Sequence, residues 1–171
     1  MATNYTTNYQ LNQWEPNDQV LRTDFNADNA KLDAALHTVN SRRLQELQNF
    51  TVEEASNFVR ISLEDIDWTK WRTLHLDIIP ASGSSENLLI CYCHSFLDPI
   101  APMSTKWNHL ILLPYGREDM PFIALVWTDS GSFFRAPTIV FSRLTDISVI
   151  GELGTYKLAV GSQIILRGEG I

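Results

Sequence analysis

From residue 57 onward the chain is written in a period of two, and that alternation is the strongest constraint on what it can fold into. Nine short runs carry it, at 58–63, 73–78, 88–93, 109–113, 122–127, 138–142, 147–150, 156–159 and 163–166. Turn formers lie between them, among them the stretch from Pro80 to Ser85, Pro114-Tyr115-Gly116, Asp129-Ser130-Gly131 and Gly161-Ser162. Successive side chains of a strand point to opposite faces, so an alternating run buries one face and shows the other to water. Without helices between them, such strands pair antiparallel and stack as two sheets. The expected body is an antiparallel β-sandwich, jelly-roll-like, over residues 57–171.

The first 56 residues obey a different rule. Residues 1–20 are rich in Asn, Gln and Thr, hold Trp14 and Pro16, and show no periodicity, which predicts an extended arm. Thr23 is the expected N-cap of a helix, with Asp24 in its first turn where a negative charge suits the helix dipole. Phe25, Leu32, Leu36 and Val39 then recur at helical spacing, while Ala30, Ala34 and Ala35 favour helix and allow close approach. The apolar stripe is narrow, like the seam of a bundle, and Asp24, Asp28, Lys31 and Asp33 make the polar side. Its width favours self-association over packing against the same chain's β-region. Leu44 and Leu47 resume the stripe in a shifted phase, and Thr51 with Glu54 matches a capping box, which predicts more helix before a boundary near Ser56.

Composition narrows the function classes. The formal net charge is -7, and Arg42-Arg43 is the single adjacent basic pair, so the clustered cations that neutralise phosphates are missing and no nucleic-acid partner is expected. No run approaches the roughly 18 uncharged apolar residues of a membrane span, so no membrane insertion is expected. The first twenty residues lack a basic and then apolar leader pattern, which predicts synthesis in the cytosol.

Chemistry is sparse. Neither Ser82 nor Ser130 sits in a nucleophile elbow, no phosphate-cradling loop occurs, and no motif sets an acid or nucleophile beside His37, His75, His94 or His109. The chain is therefore expected not to be an enzyme and to need no cofactor. Cys91 and Cys93, two apart on an expected strand, point to one face, and their spacing favours buried strand thiols over a zinc site completed by His94. The cluster Glu64, Asp65 and Asp67, with Asp98, Glu118 and Asp119 in other loops, lacks the glycine and spacing of a calcium loop, so no metal is expected.

Aromatic residues offer another kind of site. Trp68, Trp71, Trp107, Tyr115, Phe133 and Phe134 are spread over the β-region, and exposed rings beside Asn, Asp and Arg suit the apolar face and hydroxyls of a sugar. Trp127, ending the apolar run 122–127, is expected in the core. Phe133 and Phe134 are neighbours on an extended chain and must point to opposite faces.

Taken in order, Trp14, Asp18, Val20, Asp24, Phe25 and Asn26, followed by Lys31, Leu32, Asp33, Ala34, Ala35 and Leu36, resemble the N-terminal segment of tail-fibre and baseplate-associated structural proteins of phages and prophages of Gram-positive bacteria. The run from Ile66 to Ile78 and the closing stretch from Tyr156 to Gly168 are similar, more loosely, to the opening and final strands of the β-sandwich that follows such segments. The resemblance implies a virion structural protein, assembled in the host bacterial cytoplasm, with other tail proteins as partners. Trp14, Pro16 and Val20 would dock in a neighbour, although Trp14 could equally fold back on its own chain. Phe25, Leu32, Leu36 and Val39 would form the trimer stalk. The β-sandwich would face outward, with a host cell-surface glycan as the alternative ligand.

Overall fold

The computed structural model describes residues 2–93, 99–129, 131–151 and 155–171, so His94, Asp98 and Ser130 lie outside the described residues. The described residues form twelve strands, all paired antiparallel, and one α-helix, divided into two compact units, Met1–Arg43 and Leu44–Ile171.

The first unit holds β1 (Asn4–Tyr5), β2 (Asn12–Gln13) and α1 (Arg22–Ser41). The stretch expected to be an extended arm turns back on itself instead, pairing Asn4 with Gln13 and Tyr5 with Asn12. Gln10, with φ +54, makes the reversal, and Leu11 N–H bonds the Thr6 hydroxyl. The helix starts earlier than Thr23 predicts: Leu21 is its N-cap, with no side-chain cap bond, and Asp24 occupies the first turn. It stops at Ser41, where the apolar stripe breaks.

Ten strands make the second unit. They are β3 (Gln45–Thr51), β4 (Phe58–Ser62), β5 (Trp71–Ile79), β6 (Leu88–Tyr92), β7 (Pro99–Pro102), β8 (Asn108–Leu112), β9 (Ala124–Thr128), β10 (Gly131–Arg135), β11 (Asp146–Gly151) and β12 (Gln163–Gly170). One sheet has the order β10-β9-β8-β5-β12-β3 and the other β4-β11-β6-β7. Their inner faces share one apolar cluster, including Leu74, Leu76, Ile78, Leu110, Ile164 and Leu166 from the first and Ile61, Ile90, Ile147 and Val149 from the second. The unit is thus a β-sandwich.

Several expectations need correction, each for a local reason. Residues 44–56 are not helical and belong to the second unit. Leu44 lies ahead of β3 and is exposed, while Leu47 sits in a bulge: β12 pairs Leu166 with Gln48 and Arg167 with Glu46, leaving Leu47 as the extra residue. Thr51 ends β3 and caps nothing. Residues 138–142 give no strand; Val140 bridges Pro121 and a single 3-10 turn, Phe141–Arg143, drops the Phe141 ring into the core. Residues 156–159 contribute one bridge, Leu158 to Ser56. Two further strands, β7 and β10, escaped the pattern because both are sheet edges, where prolines such as Pro99 and Pro102 are tolerated.

Phe122 anchors the centre: it is fully buried, with its ring 5.5 Å from that of Tyr92 and 5.7 Å from that of Phe141. Phe122→Ala is expected to cost the second unit about 3–5 kcal/mol in urea denaturation, the usual range for emptying a packed phenylalanine site.

Candidate functional site

In the first unit the helix uses its two sides in an unexpected order. The polar side holds the hairpin: Asn12 N–H donates to Asp28 Oδ2 at 3.0 Å, Asn12 Nδ2 to the Asp24 carbonyl at 3.2 Å, and Lys31 Nζ to the Gln10 carbonyl. Lys31 also lies 3.6 Å from Asp28 Oδ1 and 6.0 Å above the Tyr5 ring. The apolar stripe is left open, with Phe25, Leu32, Leu36 and Val39 exposed at 59%, 41%, 62% and 52%. Of the proposed docking residues, Trp14 is half-buried while Pro16 and Val20 are exposed.

The aromatic candidates of the β-unit do not converge on one site. Trp68 is buried against the Phe141 ring, 5.0 Å away, and is a core residue. Half-buried Trp71 fills the space that a Cβ on Gly168 would need. Tyr115, exposed with φ +52, stands in a turn tied to the start of β5, its N–H donating to the Arg72 carbonyl and that of Gly116 to the Trp71 carbonyl. Trp107 is exposed ahead of β8, next to Lys106, which pairs with Asp129 at 3.2 Å. Trp127, expected in the core, stands on the outer face opposite His109, because Ala124, Val126 and Thr128 take the inward positions of β9.

Phe133 and Phe134 split as the strand geometry requires. Phe133 packs against the core and Phe134 is 63% exposed. A hollow of about 250 Å³ is lined by Phe134 with Tyr92, Arg135, Ala136 and Pro137. Arg135 donates its Nε to the Ile100 carbonyl at 3.2 Å, and among the described residues no carboxylate pairs with its guanidinium. A cation beside rings and a proline can take a carboxylate that carries a flat apolar group.

The outer face of the six-stranded sheet holds a side-chain chain that sequence patterns did not reveal. Arg167 donates to Asp77 Oδ2 at 2.6 Å, and Asp77 Oδ1 lies 2.6 Å from His109 Nδ1. His109 Nε2 is 3.4 Å from His75 Nδ1, His75 Nε2 is 3.0 Å from the Thr73 hydroxyl, and that hydroxyl is 3.1 Å from Glu169 Oε2. Registers explain the assembly: Asp77 is opposite His109, His75 is opposite Arg167, and Thr73 is opposite Glu169. Burial first, and the neighbouring His109 second, push the His75 pKa below the usual histidine value.

No family model, curated protein or solved structure matches this chain. Its chemistry is therefore read from its own side chains. Among the described residues no group of three His, Cys, Asp or Glu is placed to hold a metal ion.

The cysteines, expected on one strand face, part company. Cys91 is fully buried within β6 and burial pushes its thiol up to about 11, whereas Cys93 leaves the strand with φ +46 and is half-buried. Both are free thiols. Ellman's reagent is expected to label Cys93 in the folded chain and Cys91 only after denaturation; equal labelling rates would contradict this burial.

Proposed function

We propose that this chain is a structural protein of a phage virion, part of a tail fibre, baseplate or related appendage. In this proposal its N-terminal segment attaches it as a homotrimer and its jelly-roll-like sandwich faces outward. The observation that carries the proposal is the open apolar stripe of α1. Phe25, Leu32, Leu36 and Val39 remain exposed while the hairpin engages Asp28 and the Asp24 carbonyl beside them on the same helix. Full burial of an aliphatic or aromatic side chain is worth roughly 1.5–3 kcal/mol, so helices pairing along these positions gain substantially. Trp14, Pro16 and Val20, on the chain leading to the helix, supply contacts to a neighbouring virion protein, and the resemblance of residues 14–36 to tail-associated N-terminal segments supports that assignment.

Light scattering on the purified chain is expected to give three copies per particle. Leu32→Asp combined with Leu36→Asp is expected to give one copy, with the melting of the β-unit unchanged. A monomeric unmodified chain would refute the stalk.

Carbohydrate recognition by the β-unit is the alternative, and the hollow at Phe134 and Arg135 favours it. A ring stacked on Phe134 with a carboxylate on Arg135 describes an acidic sugar. Titration with D-glucuronate, followed by NMR shifts of the hollow's amides, is expected to show millimolar binding that weakens about tenfold in Arg135→Gln, the scale of one charge-assisted contact. D-glucose binding as tightly as D-glucuronate would exclude this role for Arg135.

A further inference from the structure

We infer that the outer face of the six-stranded sheet holds one transferable proton, kept on His109 between Asp77 and His75, whose loss is transmitted through His75 and Thr73 to release Glu169. Four contacts run in series, from Asp77 to His109, His109 to His75, His75 to Thr73 and Thr73 to Glu169. Each needs one hydrogen. A neutral imidazole has one N–H and a threonine one O–H, so with both rings neutral and both carboxylates ionised three hydrogens must serve four contacts. One added proton completes the series.

Geometry and environment place that proton on His109. Its Nδ1 is 2.6 Å from an Asp77 oxygen, whereas His75 is held towards the neutral form by burial first and by His109 second. Doubly protonated, His109 donates Nδ1–H to Asp77 and Nε2–H to His75 Nδ1. His75 is then the neutral Nε2–H tautomer and donates to Thr73, whose hydroxyl donates to Glu169. Every contact is satisfied, and Asp77 has its second oxygen on Arg167.

Release of the proton shifts each hydrogen by one link. The His109 Nε2 hydrogen passes to His75 Nδ1, the His75 Nε2 hydrogen to Thr73 Oγ1, and the former Thr73 hydroxyl hydrogen leaves through Glu169 to water. Afterwards His109 keeps Nδ1–H against Asp77, His75 donates from Nδ1 to His109, and Thr73 donates back to His75 Nε2. Glu169 has lost its donor. The acid form thus ties β8, β5 and β12 across their outer face, and the basic form frees the carboxylate on β12.

The charged groups around the chain fit this assignment. Arg167 comes from β12, Glu46 on β3 stands opposite Arg167, and β9 sets the uncharged Trp127 ring 6.1 Å from that of His109. On His75, the carboxylates of Glu169 and Asp77 favour the charged form and Arg167 opposes it, but burial and His109 outweigh them.

Nitrogen NMR of the histidine rings in the full chain, between about pH 5.5 and pH 8 where histidines titrate, tests the inference. As pH rises, His109 is expected to lose one proton while His75 changes from the Nε2–H to the Nδ1–H tautomer with the same midpoint. Thr73→Val leaves the remaining series complete without the added proton and is expected to lower the midpoint by about half a unit, roughly threefold in proton affinity. Glu169→Gln is expected to act in the same direction, and serves where Thr73→Val does not fold. Separate midpoints for the two rings, a His75 tautomer that never changes, or no midpoint shift in a folded variant would each overturn it.

Discussion

The register between β5 and β12 is the constraint on which the rest of the β-unit depends. Pairing Leu76 with Leu166 and Ile78 with Ile164 turns those side chains into the core, and the same pairing sets His75 against Arg167 and Thr73 against Glu169 outside. A slip of one residue in β12 would reverse its faces, sending Arg167 towards the apolar cluster and Leu166 towards water. Core and polar chain are therefore two faces of a single register. Neither can be adjusted without the other. The last regular strand of the chain also has to lie between β3 and β5, so the six-stranded sheet is completed by contacts distant in sequence.

Edges of that sheet are handled differently from its centre. At one end, β3 departs from strict alternation through its bulge, which lets both Leu47 and Phe50 reach the core from a mostly polar strand. At the other, β10 keeps Phe133 inside and leaves Phe134 and Arg135 around a hollow. An edge strand is bonded on one side alone, so its side chains are less committed to the core and remain available for contacts. The first unit follows a related division of labour: Asp28 and Lys31 are committed to the hairpin, and the apolar stripe is not.

Much of the fold was legible because it rests on short-range periodicity. The run around Leu74 alternates cleanly, those around Leu110, Ile147 and Ile164 do so less strictly, and each forms a strand whose inward positions, such as Leu74, Leu76, Leu110, Leu112, Ile147, Val149, Ile164 and Leu166, are buried. Where periodicity was ambiguous, reading failed. The run 122–127 is apolar throughout, so nothing in it told which parity faces inward, and Trp127 went to the outer face. Leu44 and Leu47 imitated a helix although Leu44 lies outside β3 and Leu47 sits in a bulge, a property of the pair β3 and β12. Trp68 and Phe141 met in the core through 3-10 turns that carry no alternating pattern.

By itself the sequence determined a mainly β body, an amphipathic helix ahead of it, and the parity of Phe133 against Phe134. These follow from side-chain direction along one element, which needs no partner to be defined. The tertiary structure alone decided that the arm folds into a hairpin, that the helix gives it the polar side, and that Arg135 borders a hollow. It also decided that Glu169, Thr73, His75, His109, Asp77 and Arg167 form one chain. Those residues come from three strands, and what joins them is cross-strand register, a relation between segments that no single segment encodes.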